Sequence, residues 1–412
     1  MKTKARIHDP WLFLIGIVTT IVGLFCVFDA GYARSIQADR GVLSREFLGQ
    51  IIPFALGIWM CVWISKVDAE VLRRRALAIW VLTLVALTLP YVPFVGLEMN
   101  GASRWIKIWK LPAVQPAEFA KVAVVIYLAA VFANRKAFAV RKTKDLVDWI
   151  DGVALKKAIR LLPALLVLIG VVLVEKEPDL GTAAVIGATA FALFIVGGAS
   201  RWSLVAGLAG AILGGYMMVK MEPYRMERFR HHFARWEEKQ VDDTGYQTVQ
   251  SEMAMASGGL IGVGPGSGRA KHVLPAATTD FVTATIGEEF GLWGSVGVLG
   301  LVALMVLRML QLAAKMEDRF RALLLYGFAS WIGIQASVNV LMATGLWPAI
   351  GIPLPFISSG GSSLAAHWIA IGVCQSAVAK KQQSEVQSEA SGHGRRDRRS
   401  RVPGARSRPI RA

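Results

Sequence analysis

The sequence predicts an all-α membrane protein of about ten transmembrane helices, with one large extracytoplasmic loop between the seventh and eighth spans. Three observations lead to this prediction. Of the 412 residues, 54% are hydrophobic and 18% are charged, whereas soluble proteins carry about 25% charged residues. Several apolar runs approach the roughly 20 residues that a helix needs to cross a bilayer. The remaining charge is strongly basic, with a formal net charge of +17.

The predicted spans follow one another along most of the chain. The first begins after three basic residues, but its apolar run exceeds the roughly 7–15 residues of a signal peptide, so it is interpreted as a true span. The ten predicted spans are residues 11–29, 47–65, 76–94, 117–134, 161–174, 180–198, 203–219, 286–307, 322–343 and 362–379.

Lys and Arg are concentrated in alternate connecting segments, and this asymmetry predicts the orientation. Because short cytoplasmic loops carry the excess of basic residues, both termini are expected in the cytoplasm and the loop 220–280 outside it. The predicted organisation is a cytoplasmic N-terminus at 1–10, a ten-span domain at 11–379 and a disordered basic tail at 380–412. The tail is expected to lie on anionic lipid. This distribution explains the basic excess without nucleic acid.

The cysteines and histidines indicate neither a disulfide framework nor a metal site. Cys26, Cys61 and Cys374 all lie inside apolar runs, as expected for small buried side chains. The histidines show no metal-ligand spacing. The sequence therefore predicts no zinc centre.

Polar residues next to the fourth predicted span form the first candidate site. Arg104 and Trp105 precede it, and Glu118 and Lys121 lie in its first turns at a spacing of i, i+3, which places them on one helix face. The pair is either structural or part of a site. Arg104 is suited to an anionic head group, and Trp105 is either an interfacial residue or a site residue.

Two further polar stretches lie between predicted spans. The turn at 175–182 is interpreted either as a solvated turn with Asp179 capping the next helix or as part of a site. In the long loop, residues 225–239 predict an amphipathic helix at the membrane interface. The glycine-rich stretch 258–268 has no Walker lysine, so a nucleotide site is excluded. Asp280, just before an apolar helix, is either a cap or a base with a raised pKa.

The last two polar stretches flank the final spans. Glu288 and Glu289 need partners, for which Lys121 or an arginine is suited. Prolines and glycines at 351–363 predict a re-entrant loop, followed by hydroxyl residues at a helix start that is favourable for phosphate. Together these stretches predict an outward-facing polar cavity beside lipid, which suits a lipid-linked phosphate substrate.

Four blocks of the sequence resemble the SEDS family, the membrane proteins that include RodA, FtsW and SpoVE. They are residues 100–106 with 115–121, 178–182, 247–289 and 345–363, and the resemblance covers about residues 11–380. It implies a bacterial inner-membrane peptidoglycan glycosyltransferase that polymerises lipid II and releases undecaprenyl pyrophosphate. It also implies a class B penicillin-binding protein as the transpeptidase partner, with other divisome or elongasome proteins.

The resemblance also assigns the site residues. The family's essential loop aspartate falls on Asp280, the predicted catalytic base. The predicted substrate-binding residues are Trp105, Arg104, Glu118, Lys121, Gln250, Ser251, Ser358 and Ser362. A divalent cation, Mg²⁺ or Mn²⁺, is compatible with the family, but the sequence shows no ligand set for it.

Two departures and three alternatives accompany this prediction. Thr278 replaces a frequent family histidine, and Ser359 replaces a frequent tyrosine, which excludes those two side chains from the chemistry. The alternatives are a lipid II flippase, a different lipid-linked polymerase or ligase, and a non-enzymatic scaffold. The stretches 264–266 and 355–358 resemble FtsW slightly more than RodA, but division and elongation both remain open.

Overall fold

A computed structural model describes residues 7–37, 42–99, 102–107, 112–133, 155–199, 201–237 and 245–379. The chain divides into two units, Met1–Val378 and Ala379–Ala412. The tail predicted at 380–412 lies outside the described residues, as do residues 1–6 of the predicted N-terminal segment. The architecture that follows is that of the first unit.

The first part of the chain consists of helices interrupted by one small hairpin. A short 3₁₀ turn at Leu89–Tyr91 leads from the third helix into the hairpin. The elements are α1 (Pro10–Gln37), α2 (Arg45–Ile64), α3 (Ala69–Ala86), β1 (Gly96–Met99), β2 (Ala102–Ile106), α4 (Pro116–Ala133), α5 (Leu155–Lys176), α6 (Leu180–Val196) and α7 (Arg201–Lys220).

The second part places three helices in the large loop before the last long helices. The loop helices are α8 (Pro223–Phe233), α9 (Tyr246–Gly258) and α10 (Ala270–Val273). The long helices are α11 (Val282–Ala314), α12 (Arg319–Ala343) and α13 (Gly361–Val378). The helical path of α11 is broken at Gly291, where φ is 66°.

Each predicted span falls on one of the long helices in the described part of the chain, so the fold class is confirmed. Six of these helices are long and apolar enough to cross a bilayer by themselves, as expected for a multi-pass membrane protein. The third helix differs most from its prediction. It begins at Ala69 because the Asp68 side chain accepts the Glu70 amide at 3.0 Å and caps it.

The β-hairpin before α4 was not predicted. β1 and β2 are antiparallel, with an irregularity between Leu97 and Glu98, and a bridge from Ile106 to Val114 extends the pairing. Strands of four and five residues are too short for a period-two pattern to be recognised. The hairpin matters because β2 carries Arg104 and Trp105.

Helix α4 is the centre of the bundle. Most of its side chains are buried, and it packs against α3, α6, α12 and α13. By contrast, α7 buries none of its hydrophobic span and contacts α6 and α8. Such an all-round apolar surface is expected of a helix that faces lipid.

The first and last long helices are joined at one end of the bundle. The Gln375 side-chain oxygen accepts the amides of His8 at 2.9 Å and Asp9 at 2.8 Å. Its side-chain nitrogen donates to the Asp9 carbonyl at 2.8 Å. The Asp9 carboxylate also forms an ion pair with Arg308 of α11. Gln375 thus satisfies the main chain at the start of α1.

Candidate functional site

Asp280 lies in the segment between α10 and α11, and the segment before the last helix holds it in place. Ser358 donates its hydroxyl to the Thr279 carbonyl at 2.6 Å and accepts the Leu354 amide at 2.7 Å. The Ser359 amide donates to the Thr278 carbonyl at 2.8 Å. Ser358 therefore lies beside the predicted base, and its hydroxyl is engaged with the main chain.

A buried asparagine that sequence analysis missed fixes the main chain at Asp280. The Asn339 side-chain nitrogen, in α12, donates to the carbonyls of Asp280 at 2.8 Å and Ile352 at 2.7 Å. Its oxygen accepts the Thr283 hydroxyl at 2.6 Å. A fully buried amide within an apolar span is itself a signal, because polar groups at membrane depth need specific partners.

The pKa of Asp280 is raised from 3.8 to about 6. Desolvation is the main cause, and the charge of Asp179 adds to it, whereas the charges of Arg104 and Arg228 oppose it. A base with this pKa is ionised at neutral pH and still accepts a proton readily. Gly351 lies opposite, where an added Cβ would come 3.5 Å from a carboxylate oxygen of Asp280.

The charges of two arginines from different elements act on this carboxylate and oppose the rise of its pKa. The Arg104 Nε donates to the Glu177 carbonyl at 2.9 Å, and another guanidinium nitrogen donates to the Pro178 carbonyl. Arg228, in α8, donates to the Ala349 carbonyl at 2.9 Å. The arrangement brings two positive charges close enough to act on the predicted base. Arg228 was not predicted, because its place in an amphipathic loop helix gave no sign of this neighbourhood.

Asp179 connects the same cluster to the start of α13. One carboxylate oxygen accepts the Thr182 amide at 3.0 Å, which confirms the predicted cap. The other accepts the Gln115 side-chain nitrogen at 2.9 Å. The Gln115 main-chain amide in turn donates to the Ser362 hydroxyl at 3.0 Å. Ser362 thus lies in one polar chain with Asp179.

The predicted pairing of Glu118 with Lys121 is confirmed, but the pair is buried inside the bundle. Their charged atoms are 2.8 Å apart, and the two residues are 3% and 1% exposed. Lys121 also donates to Gln335 at 3.1 Å and lies 5.6 Å from the centre of the Trp331 ring. This is the geometry of a structural ion pair, and the predicted contact with substrate stays a prediction.

The other predicted substrate residues differ in exposure. Trp105 is half-buried on β2, opposite Leu97. Gln250 is half-buried on α9. Ser251 is fully buried and donates its hydroxyl to the Ala343 carbonyl at 2.7 Å, so it joins α9 to the end of α12. Their substrate roles remain predictions.

The prediction that Lys121 or an arginine would pair with Glu288 and Glu289 was wrong. Lys271 of α10 lies 2.7 Å from the Glu289 carboxylate and 3.2 Å from Asp29 in α1. Glu288 accepts the main-chain amides of residues 269 and 270, and Glu289 accepts those of residues 266 and 268. The end of the glycine-rich stretch therefore binds the Glu289 carboxylate, and the two residues after it bind that of Glu288.

The predicted interfacial helix at 225–239 is shorter than expected. α8 ends at Phe233, which is 82% exposed. Arg235 and Trp236 follow it and both contact Glu252, at 2.7 Å and 3.0 Å respectively. These contacts attach the segment after α8 to α9.

Within the described ranges, no group of three or more His, Cys, Asp or Glu side chains is placed to hold a metal ion. Asp280 and Asp179 interact electrostatically, and no third acidic ligand joins them among the described side chains. The described part of the chain therefore does not form a divalent-cation centre.

Comparison with known proteins agrees with this architecture. The family described as "Cell cycle protein", comprising FtsW, RodA and SpoVE, matches residues 10–383. The probable peptidoglycan glycosyltransferase FtsW of Coxiella burnetii is 32% identical, with 90% of this chain and 97% of the relative covered. Stage V sporulation protein E of Bacillus subtilis is 32% identical with the same coverage.

Solved structures show the same fold. A chain from a study titled "Structural coordination of polymerization and crosslinking by a peptidoglycan synthase complex" is 28% identical, with a TM-score of 0.70 over 90% of this chain and 97% of that chain. The rod shape determining protein RodA of Thermus thermophilus is 25% identical, with a TM-score of 0.61 over 90% of this chain and 96% of its own. The chain therefore belongs to the FtsW/RodA/SpoVE family.

Proposed function

We propose that the protein is a peptidoglycan glycosyltransferase that polymerises lipid II and releases undecaprenyl pyrophosphate. The observation that carries the proposal is the position of Asp280. Its carboxylate has a pKa raised to about 6, and the charges of Arg104 and Arg228 act on it. A base with cations nearby suits transfer of a sugar from a diphosphate. The names of the relatives support the same activity.

The proposed reaction assigns the base role to Asp280 and the stabilisation of the diphosphate to the two arginines. Asp280 takes the proton from the 4-hydroxyl of the acceptor sugar as that oxygen attacks C1 of the donor. The bond from C1 to the diphosphate oxygen breaks with inversion, and the diphosphate leaves with the bonding electron pair. Arg104 and Arg228 stabilise the developing negative charge. Trp105 is proposed to contact the sugar, and Ser362 to lie near the diphosphate at the start of α13.

A divalent cation, if required, would arrive with the substrate. Diphosphates bind Mg²⁺ or Mn²⁺ through their own oxygens, and the described side chains form no ligand set for either ion. The proton transfer, the attack at C1 and the departure of the diphosphate do not depend on this ion in the proposed reaction.

We further propose the setting of the reaction. The distribution of Lys and Arg favours an inner-membrane protein with both termini in the cytoplasm, which puts the cluster outside it. A class B penicillin-binding protein is the proposed partner. The similarity of this chain to one from the study of a peptidoglycan synthase complex supports this proposal. Other divisome or elongasome proteins and anionic lipids at the tail complete the proposed partners.

Purified protein and labelled lipid II test the activity. We expect glycan strands on a gel with the wild type, their loss with Asp280→Asn, and normal product with Asp318→Asn. Asp318 is a suitable control because it caps α12 through the Arg321 amide, and Asn keeps that cap. Transport of lipid II across vesicles without polymer would instead identify a flippase. Normal growth of cells carrying Asp280→Asn would contradict the enzymatic proposal.

A further inference from the structure

Glu177 is fully buried in the turn between α5 and α6, and neither of its carboxyl oxygens has a hydrogen-bond partner in the described part of the chain. Its neighbours in the turn are satisfied. Glu175 forms an ion pair with Arg225, and Asp179 caps α6. The sequence placed Glu177 in a stretch that was either a solvated turn or part of a site, and gave no sign of its burial.

Burial without a donor determines the charge of this group. An ionised carboxylate that loses water and gains no hydrogen bond is destabilised by several kcal/mol, so the group takes up a proton instead. Consistently, the pKa of Glu177 is raised from 4.5 to about 8, mainly by desolvation and then by the charge of Asp179, while Arg104 opposes the rise. At pH 7 most Glu177 side chains are therefore uncharged.

Arg104, which belongs to β2, contacts this turn but forms no hydrogen bond with the Glu177 carboxyl. Its guanidinium donates to the main-chain carbonyls of Glu177 and Pro178. The charge of the same guanidinium acts on both Glu177 and Asp280. Arg104 thus connects the buried acid to the proposed base. An ionised Glu177 would add a second carboxylate charge beside the arginine, next to that of Asp280, whereas an uncharged Glu177 leaves more of the guanidinium charge for an anion.

We infer that Glu177 is a positioning residue that acts through Arg104: it adds no negative charge beside the guanidinium, so that the guanidinium binds the diphosphate of the substrate. The inference rests on the proposed function and deepens it. Glu177 makes no contact with substrate in this role. Its contribution is to be uncharged at neutral pH, whereas a glutamate in a solvated turn would be ionised.

The groups that face Glu177 define its expected pH dependence. The charges that act on it are those of Asp179 and Arg104. Burial raises the pKa of nearby Tyr91, and the charges of Glu177 and Glu175 add to that rise. Glu175 is paired with Arg225. As the pH rises from 7 to 9, Glu177 ionises beside Arg104. The new negative charge should then lower the affinity for a diphosphate. A variant that lacks the Glu177 carboxyl should not show this loss.

Binding of inorganic pyrophosphate to purified full-length protein tests the inference. Glu177→Gln keeps the size and the absence of charge, so we expect its Kd at pH 7 to lie within about twofold of wild type. Between pH 7 and 9 the wild type should lose at least about fivefold more affinity than Glu177→Gln, at the lower end of coupling between linked groups. Glu175→Gln, which removes a paired acid from the same turn, should follow the wild-type pH profile.

Two results of the pyrophosphate measurement would overturn the inference. One is coincident pyrophosphate profiles for wild type and Glu177→Gln up to pH 9. The other is at least about fivefold weaker binding by Glu177→Gln at pH 7 in a variant that melts like wild type, because the charged form would then be the one required. Infrared spectroscopy provides a check in the unsubstituted protein. A protonated Glu177 should give a carboxyl carbonyl band at pH 7 that is lost by pH 9. Absence of this band at pH 7 would also refute the inference.

The pyrophosphate measurement also separates this inference from the proposed function. Suppose that the wild type makes no glycan strands but loses more pyrophosphate affinity than Glu177→Gln between pH 7 and 9. The proposed activity is then refuted, and Glu177 still acts on an anion-binding site. If strands form and the profiles coincide, the activity stands and the role of Glu177 fails.

Discussion

The side chain of Asn339 donates to the main-chain carbonyl of Asp280 over 2.8 Å. The same nitrogen donates to Ile352 at 2.7 Å, so one buried amide connects the segment carrying the proposed base to the segment facing it. The position of Asp280 consequently depends on a residue 59 positions away in α12.

Replacing Asn339 by leucine should therefore lower activity without removing any charged group. Two buried carbonyls would lose their donor, at about 1–3 kcal/mol each, and Asp280 would be held less firmly. We expect kcat for strand formation to fall at least about tenfold, because small displacements of a catalytic group are costly. Ser337→Ala, two residues earlier and exposed, removes only a hydroxyl bonded to the Gly333 carbonyl and should have little effect. Equal activities would contradict the positioning role.

Asp280→Asn should abolish polymerisation and stabilise the fold. Loss of a general base lowers rates by about 10²–10⁴-fold. Because the pKa of Asp280 is raised in the folded protein, its ionised form opposes folding above about pH 6. An uncharged side chain should therefore raise the Tm at pH 7.5 by at least about 2 °C. Asp179→Asn is the contrasting variant, since it weakens the Gln115 contact and should lower Tm. A lower Tm for Asp280→Asn would argue against this desolvation.

The pH profile of polymerisation should show a limb near pH 6. Asp280 acts as a base only when ionised, and its pKa lies at about 6. The kcat/KM should thus fall as the pH is lowered through 6, tenfold per pH unit at the acid end. Initial rates between pH 4.5 and 7.5 would show this limb. An acid limb near pH 4 would mean that the carboxylate is solvated during turnover.

Gly351→Ala should impair the site through the backbone. Gly351 has φ of +72°, and its added Cβ would lie 3.5 Å from Asp280. An alanine at this φ costs about 1–3 kcal/mol, and relief of the strain would shift the segment that faces the base. We expect at least about a fivefold loss of kcat/KM. The matched control is Gly187→Ala in α6, where no atom lies within 4 Å of the new Cβ. Similar losses in both would exclude a local effect.

Lys271→Met should destabilise the large loop. The lysine is 1% exposed and compensates both Glu289 and Asp29, and loss of one partner from a buried ion pair costs about 3–5 kcal/mol. Limited proteolysis should then cleave the segment around residues 262–270 faster, and the Tm should fall. Lys66→Met, at an exposed position, should melt like wild type. Unchanged proteolysis would show that the glycine-rich stretch is held by its amide contacts alone.

The helices could be predicted from sequence more fully than the site. A bilayer requires long apolar helices, so hydropathy alone located the spans. Contacts between distant segments leave no local pattern. The Lys271 partner of Glu289 and the burial of Glu177 both depend on which loops meet, and both were missed. The hairpin bearing Arg104 is local, but its strands are short and were also missed. Asp280 was a candidate base from its position before an apolar helix, and the resemblance to a family assigned it that role. Asn339 was detectable in principle, as an amide inside an apolar span.

The junction between Asp9 and Gln375 has a consequence for biosynthesis. The two residues are 366 positions apart, so the amides at the start of α1 acquire their partner only after the last helix has been synthesised and inserted. Until then these amides lack their Gln375 partner. A product that stops before α13 cannot form this junction, and we expect it to be degraded faster in the cell than one that contains α13.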